Sequence, residues 1–186
     1  MPRILDCIAN QHDPVLLGLA VFCCLVTTAG VFLMMYRARS LREYRHAMIW
    51  HLSAGMVAAV GLWVTHFVAM IGYKTGVPVT YTLSSALLSL GVSIIFQSVI
   101  AWRLGYDNFK KRPAVPYWAW GVLSAIGVAI MHFVGVSGFK TSGIVIWDNG
   151  IIAASVVTGC AASALATQLH AYTSTLLTKA AQIGLM

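Results

Sequence analysis

The chain has 186 residues, of which 59% are hydrophobic and only 9% are charged. Soluble domains carry about 25% charged residues, so this composition excludes a water-soluble globular domain. A formal net charge of +7 would also suit a nucleic-acid-binding protein, but the basic residues collect in two connections between apolar runs, where they indicate membrane topology.

Five apolar runs are each long enough to cross a bilayer, which takes about 20 residues per helix. The predicted transmembrane helices cover about residues 14–36, 47–72, 82–104, 117–138 and 149–172. Basic connections follow the first and third helices, whereas the other two connections hold one lysine each. Because short basic loops stay in the cytoplasm, this pattern predicts an outer N-terminus and a cytoplasmic C-terminus.

Short polar segments mark the starts of the odd-numbered helices. Asp13 stands before a proline, which predicts an N-cap with proline at the first helical position. Asp148 is placed in the same way before the fifth helix. His12, Tyr81 and Trp147 therefore occupy equivalent positions, which we predict to lie at the outer rim of the bundle.

The even-numbered helices contain an internal repeat. Residues 61–75, GLWVTHFVAMIGYKT, return as residues 127–141, GVAIMHFVGVSGFKT, with both glycines, His-Phe-Val and Lys-Thr in register. The repeating unit is an odd helix, a basic inner loop and an even helix with a histidine near its outer end. This predicts an all-α, five-helix transmembrane bundle built from parallel two-helix repeats, the third of which is incomplete.

The two repeated histidines are the strongest candidates for a functional site. His66 and His132 lie roughly 9 Å below the outer helix ends, a depth at which an ionisable side chain predicts a function. Met70 shares a helical face with His66, and Met131 is adjacent to His132. Imidazole and thioether ligands suit copper, particularly Cu(I). His12 is a third candidate ligand, and the predicted rim of the site consists of Asp13, Tyr81 and Trp147.

Other interpretations of these residues stay open. The two histidines can ligate a b-type haem from opposite faces, or they can hydrogen-bond neighbouring helices without any ligand. Catalysis is not expected, because no carboxylate or paired nucleophile lies near them. Transport is disfavoured by parallel repeats without a broken helix. His46, His51 and His170 fall at cytoplasmic helix ends and are predicted to be ordinary interfacial residues.

The motifs THFVAM (residues 65–70) and MHFVGV (residues 131–136), with the polar starts of the first and fifth helices, resemble the bacterial MHYT domain over nearly the whole chain. The resemblance implies a multi-spanning sensory domain of the bacterial inner membrane that binds copper near its outer face and senses oxygen, carbon monoxide or nitric oxide. Such domains are usually fused to diguanylate cyclases or phosphodiesterases. The residues that it implicates are His66, Met70, Met131, His132 and His12. This chain departs from the motif at Thr65 and Val136, which replace methionine, and at Phe67 and Phe133, which replace tyrosine.

Two hypotheses follow for residues 1–186, taken as a single domain. The first is a non-enzymatic sensor that binds a metal through the outer His/Met cluster and responds to a small ligand. The alternative is an accessory or assembly subunit of a larger respiratory or photosynthetic membrane complex. The small residues of the fifth helix favour either a central position in the bundle or a surface for a membrane protein partner.

Overall fold

The computed structural model describes residues 11–74, 76–110, 115–143 and 147–183, with the backbone alone at residues 108 and 172–183. The helices are α1 (Pro14–Ser40), α2 (Tyr44–Ile71), α3 (Leu83–Lys110), α4 (Tyr117–Val136) and α5 (Asn149–Ile183). Two short strands are β1 (Val79–Tyr81) and β2 (Phe139–Thr141). Across these described ranges, five helices are long and apolar enough to span a membrane, which confirms the predicted fold class.

Four helices extend beyond the predicted apolar runs, mostly at the basic end of the bundle. α1 continues to Ser40, α3 to Lys110 and α5 to Ile183. Hydropathy marks the part of a helix that lies in lipid, while arginine, lysine and alanine continue a helix beyond it at little cost. Thr75, Lys111 and Arg112 lie outside the described residues.

Helices that are neighbours in sequence are neighbours in space, from α1 through to α5. α5 is therefore at one end of the row, and none of its most apolar stretch is buried. Of the two predictions for α5, a central position or a surface for a partner, the central position is wrong. The small residues of α5 serve close packing on one side only, where Ser163 and Thr167 meet Gly121 of α4 so closely that a Cβ on that glycine would collide with both.

The repeated glycines explain how each even helix packs on the odd helix before it. Gly61 of α2 faces Thr27 of α1, and Gly127 of α4 faces Phe96 of α3. A Cβ at either glycine would overlap its neighbour. The two units therefore use the same close contact, and this fixes the height of α2 against α1 and of α4 against α3.

At the ends remote from the basic connections, equivalent backbone hydrogen bonds join the two helices of each unit. The amide of Asp13 donates to the carbonyl of Gly72 at 2.8 Å, and the amide of Thr82 donates to the carbonyl of Gly138 at 3.0 Å. β1 and β2 extend the second of these contacts as an antiparallel pair, with Thr80 opposite its partner in β2. Each odd helix thus starts where its even partner ends, which places the two repeated histidines at the same level.

The predicted caps are present at both ends of the row. Asp13 accepts hydrogen bonds from the amides two and three residues later, at 2.9 and 3.2 Å. Asp148 does the same for α5, at 2.9 and 3.1 Å. The equivalence of the helix starts, predicted from short polar segments, is therefore also seen in their geometry.

Candidate functional site

The two repeated histidines meet directly between α2 and α4. His66 Nε2 lies 3.3 Å from His132 Nδ1, and the two rings are 4.7 Å apart at an angle of 73°. One ring must donate and the other accept, since a neutral imidazole has one of each. Each histidine also packs edge-on against the next residue, Phe67 at 5.5 Å and Phe133 at 5.2 Å.

Two of the predicted rim residues, Tyr81 and Trp147, contact the phenylalanines that follow these histidines. The Tyr81 ring lies 6.1 Å from Phe67, and the Trp147 ring lies 6.0 Å from Phe133. The same kind of contact therefore joins each even helix to the start of the following odd helix. Burial raises the pKa of the Tyr81 phenol above its ordinary value, so at neutral pH this group is a hydrogen-bond donor and carries no charge.

A cavity of about 770 Å³ opens beside the histidine pair, between α2, α4 and α5. Both histidines line it, together with Met131, Trp147 and Thr65. Most of its remaining wall is aliphatic. A largely apolar cavity with a few convergent polar groups is the usual form of a small-ligand site.

The other predicted ligands lie elsewhere. Met131 is only 1% exposed and lines the cavity, but Met70 does not line it. The His12 ring lies 5.1 Å from the Tyr73 ring, tilted by 50°, just beyond the end of α2. The Asp13 carboxylate caps α1. The structure therefore brings together four of the predicted residues, the two histidines, Met131 and Trp147, around one cavity.

Sequence reasoning overlooked two neighbours of the pair. Thr65 lines the cavity, and its buried hydroxyl has no hydrogen-bond partner in the part of the chain that the structure describes. One turn of helix from His66, the Trp63 indole donates to the Ala86 carbonyl at 3.0 Å and to the Ser89 hydroxyl at 3.1 Å. Helical spacing from His66 gives a signal for Trp63, because residues three positions apart share a helical face, but it gives none for the adjacent Thr65.

The donor set fits a soft metal better than a hard one. Among the described residues, no group of three or more His, Cys, Asp or Glu side chains is close enough to hold a metal ion. The available ligands are two imidazoles and the Met131 thioether, all neutral. Nitrogen atoms 3.3 Å apart can bind the same ion, and nitrogen with thioether sulfur suits Cu(I).

Comparison with known proteins gives a repeat with the same offset of 66 residues, but each match runs from an even helix through the following odd helix, not from odd to even as predicted. Residues 60–115 and 126–182 each match the family model described as "MHYT: Bacterial signalling protein N terminal repeat". A signaling protein of Caulobacter vibrioides is 31% identical over 185 residues, which are 99% of this chain and 22% of that protein. No solved structure matches the chain significantly.

Two proteins of Pseudomonas aeruginosa are also similar, each 24% identical. They are the bifunctional diguanylate cyclase/cyclic di-GMP phosphodiesterase MucR, over 68% of this chain, and the cyclic di-GMP phosphodiesterase NbdA, over 65% of it. The chain spans 22%, 18% and 15% of the lengths of these three relatives. The two family matches each contain one of the paired histidines, and the chain belongs to the MHYT family of bacterial signalling proteins, as a membrane domain of that family.

Proposed function

We propose that this domain is a membrane sensor in which His66, His132 and Met131 hold a copper ion that detects a small ligand such as a diatomic gas. The observation that carries the proposal is the 3.3 Å contact between repeat-equivalent histidines that face one cavity. A purely structural histidine pair would need no such cavity beside it.

The ring contact favours a single ion over a b-type haem. Two axial histidines hold a haem with the porphyrin plane between their rings, whereas these two rings touch directly. Copper at this position would supply a soft centre able to bind oxygen, carbon monoxide or nitric oxide. Met70 and His12 stay candidates for further ligands, and each would have to turn towards the histidines.

The chain itself would admit the ligand and transmit its binding. Aliphatic walls admit a small apolar molecule from the bilayer, and the unpartnered Thr65 hydroxyl offers it one hydrogen bond. A change in the spacing of the histidines would move Phe67 and Phe133, and with them Tyr81 and Trp147. The even helices would thereby shift the outer ends of α3 and α5.

Orientation and setting follow from the charges. We place the histidine pair towards the outside of the bacterial inner membrane, because four arginines in and around the turn between α1 and α2 lie at the opposite end, namely Arg37, Arg39, Arg42 and Arg45. The exposed side of α5 is the surface that we expect to meet a partner protein or a second copy. We assign no catalytic role to this domain, since its similarity to the enzymes MucR and NbdA covers 18% and 15% of their lengths.

The test is the copper content of the purified chain. Protein expressed with copper, solubilised in a mild detergent and freed of loosely bound metal should hold about one copper per chain by mass spectrometry. His66→Ala and His132→Ala should each remove most of it. His46→Ala is the matched control, since His46 also lies on α2 but is exposed at the basic end, and it should keep its copper.

Copper content that is the same in the His66→Ala/His132→Ala double variant as in the unchanged protein would refute the proposed site. A haem absorption band that is present in the unchanged protein and lost in that variant would support the same site with haem in place of copper. Purification of a stoichiometric oxidoreductase complex, with neither metal nor chromophore in this chain, would favour the accessory-subunit hypothesis.

A further inference from the structure

The opposite end of the bundle holds a second cluster of polar side chains. Arg39, in the last turn of α1, donates from Nη2 to His170 Nε2 of α5 at 2.7 Å. Its Nε is buried and has no hydrogen-bond partner within the described ranges. A guanidinium can only donate, so His170 accepts here as a neutral imidazole. This contact joins the first and last helices of the row.

The charge of Arg39 is not balanced by the part of the chain that the structure describes. Two acidic side chains found there contact basic residues, Glu43 with His46 at 2.8 Å and Asp107 with Arg103 at 3.9 Å, and neither contact includes Arg39. A guanidinium stays charged under all conditions of interest, and burying it without a counter-charge is costly. Within the described residues, then, no acidic side chain pairs with Arg39, and its charge is open to an anion from another molecule.

A third nitrogen-bearing side chain lies at the same place. His51 of α2 is 2% exposed, and its Nδ1 has no hydrogen-bond partner among the described residues. It lies within electrostatic reach of both Arg39 and His170. The prediction of an interfacial histidine is wrong for His51, because Gly105 of α3 leaves room for its ring inside the bundle, where a Cβ at that glycine would come within 2.7 Å of the imidazole.

The cluster so defined, Arg39, His51 and His170, has the features of an anion site. It has a fixed positive charge and two buried nitrogen atoms without hydrogen-bond partners among the described residues, Arg39 Nε and His51 Nδ1. It also has an edge between α1 and α5, where Arg39 and His170 are only partly buried. Guanidinium groups bind phosphate through paired hydrogen bonds, and basic pockets between transmembrane helices bind anionic head groups.

We propose that this cluster binds a phosphate group, carried either by an anionic phospholipid of the surrounding leaflet or by a soluble phosphate. Arg39 provides the charge and the Nε donor, and His51 provides Nδ1, which donates in the tautomer that carries its proton there. His170 holds the guanidinium in place from α5. The bound phosphate would close the seam between α1 and α5 at the level where α5 leaves the bilayer.

The test is thermal unfolding of the purified chain in a neutral detergent with added lipid. Saturating phosphatidylglycerol should raise the unfolding temperature by roughly 5–10 °C relative to phosphatidylcholine, as expected for a ligand at about 100 times its dissociation constant. Arg39→Gln should abolish this rise. Arg37→Gln removes the same charge from an exposed position two residues earlier and should preserve it.

An equal rise in Arg37→Gln and Arg39→Gln would overturn the proposal, since it would show only general attraction of acidic lipid to the basic end. If Arg39→Gln does not fold, His170→Ala takes its place with the same expectations. Inorganic phosphate provides the second arm. A rise that depends on Arg39 with millimolar phosphate identifies a soluble phosphate as the source, and the absence of an Arg39-dependent rise with either probe refutes the site.

Discussion

The hydroxyl of Thr65 is a polar atom buried beside the histidine pair without a partner among the described residues. Thr65→Val keeps the shape and removes that atom, so the free energy of unfolding should stay the same or rise by up to about 1 kcal/mol. Ser89→Ala should lower it by about 1 kcal/mol, because the Ser89 hydroxyl accepts from Trp63 and donates to the Ala86 carbonyl. Thermal unfolding in detergent measures both.

A loss of stability in Thr65→Val as large as that in Ser89→Ala would contradict this expectation. It would mean that the Thr65 hydroxyl has a partner in the cavity, such as a bound ligand. The comparison is useful because both residues lie near the outer site and both side chains are small and polar.

Individual site residues were predictable to different degrees. His66 and His132 are recognisable because the same polar residue recurs within two matching apolar segments. Their direct contact was not predictable, since periodicity gives the face of each helix but not which faces meet. Met70 shows the limit of the spacing argument: four residues later, it is turned by about 40° and raised by about 6 Å from His66, which is enough to take it off the cavity wall.

At the level of helices, close packing depends on single glycines. Gly127→Ala would push a Cβ into the Phe96 ring, so we expect a loss of about 1–3 kcal/mol in the free energy of unfolding. At Gly91 of α3, an added Cβ would have no atom within 4 Å, so Gly91→Ala should instead stabilise the helix by about 0.5–1 kcal/mol. Denaturant titration followed by circular dichroism distinguishes them, and equal effects would argue against close packing of α4 on α3.

The buried face of α3 carries a row of polar side chains that its high average hydropathy does not reveal. Ser89, Ser93 and Gln97 recur every fourth residue and are all buried. The Ser93 hydroxyl donates to the Ala59 carbonyl at 3.1 Å, and the Gln97 amide donates to Ser124 at 3.0 Å. Polar side chains of this kind hold transmembrane helices together. Their spacing is visible in the sequence, but only the fold shows that α2 and α4 receive them.

At the scale of the whole molecule, the orientation can be tested with two exposed positions at opposite ends. In a cysteine-free background, Thr80→Cys should react with a membrane-impermeant maleimide in intact cells. Arg42→Cys, in the connection after α1, should react only after lysis. The basis is the charge asymmetry between the connections. The reverse pattern would place the histidine pair on the cytoplasmic side.

The overall arrangement was predictable from the repeat, because equivalent segments fold alike and therefore pack alike. The position of α5 in the bundle was not predictable. Small residues indicate that a helix approaches a neighbour closely, but they do not say how many neighbours it has. Here α4 packs along one side, α1 is contacted at His170, and most of the remaining described surface of α5 is exposed. The cluster at the basic end was missed for a related reason, because Arg39, His51 and His170 lie on three helices far apart in sequence.

α5 runs unbroken from Asn149 to Ile183, well past its membrane-spanning part. Its contact with Arg39 is at His170, roughly 32 Å from the start of the helix and roughly 20 Å from its end at 1.5 Å per residue. Ser163 and Thr167 pack on Gly121 just before that point, so α5 is held over the short stretch from Ser163 to His170. A stiff helix held there would pivot, and a sideways movement of Trp147 beside the histidine pair would reappear at the far end of α5 in the opposite direction.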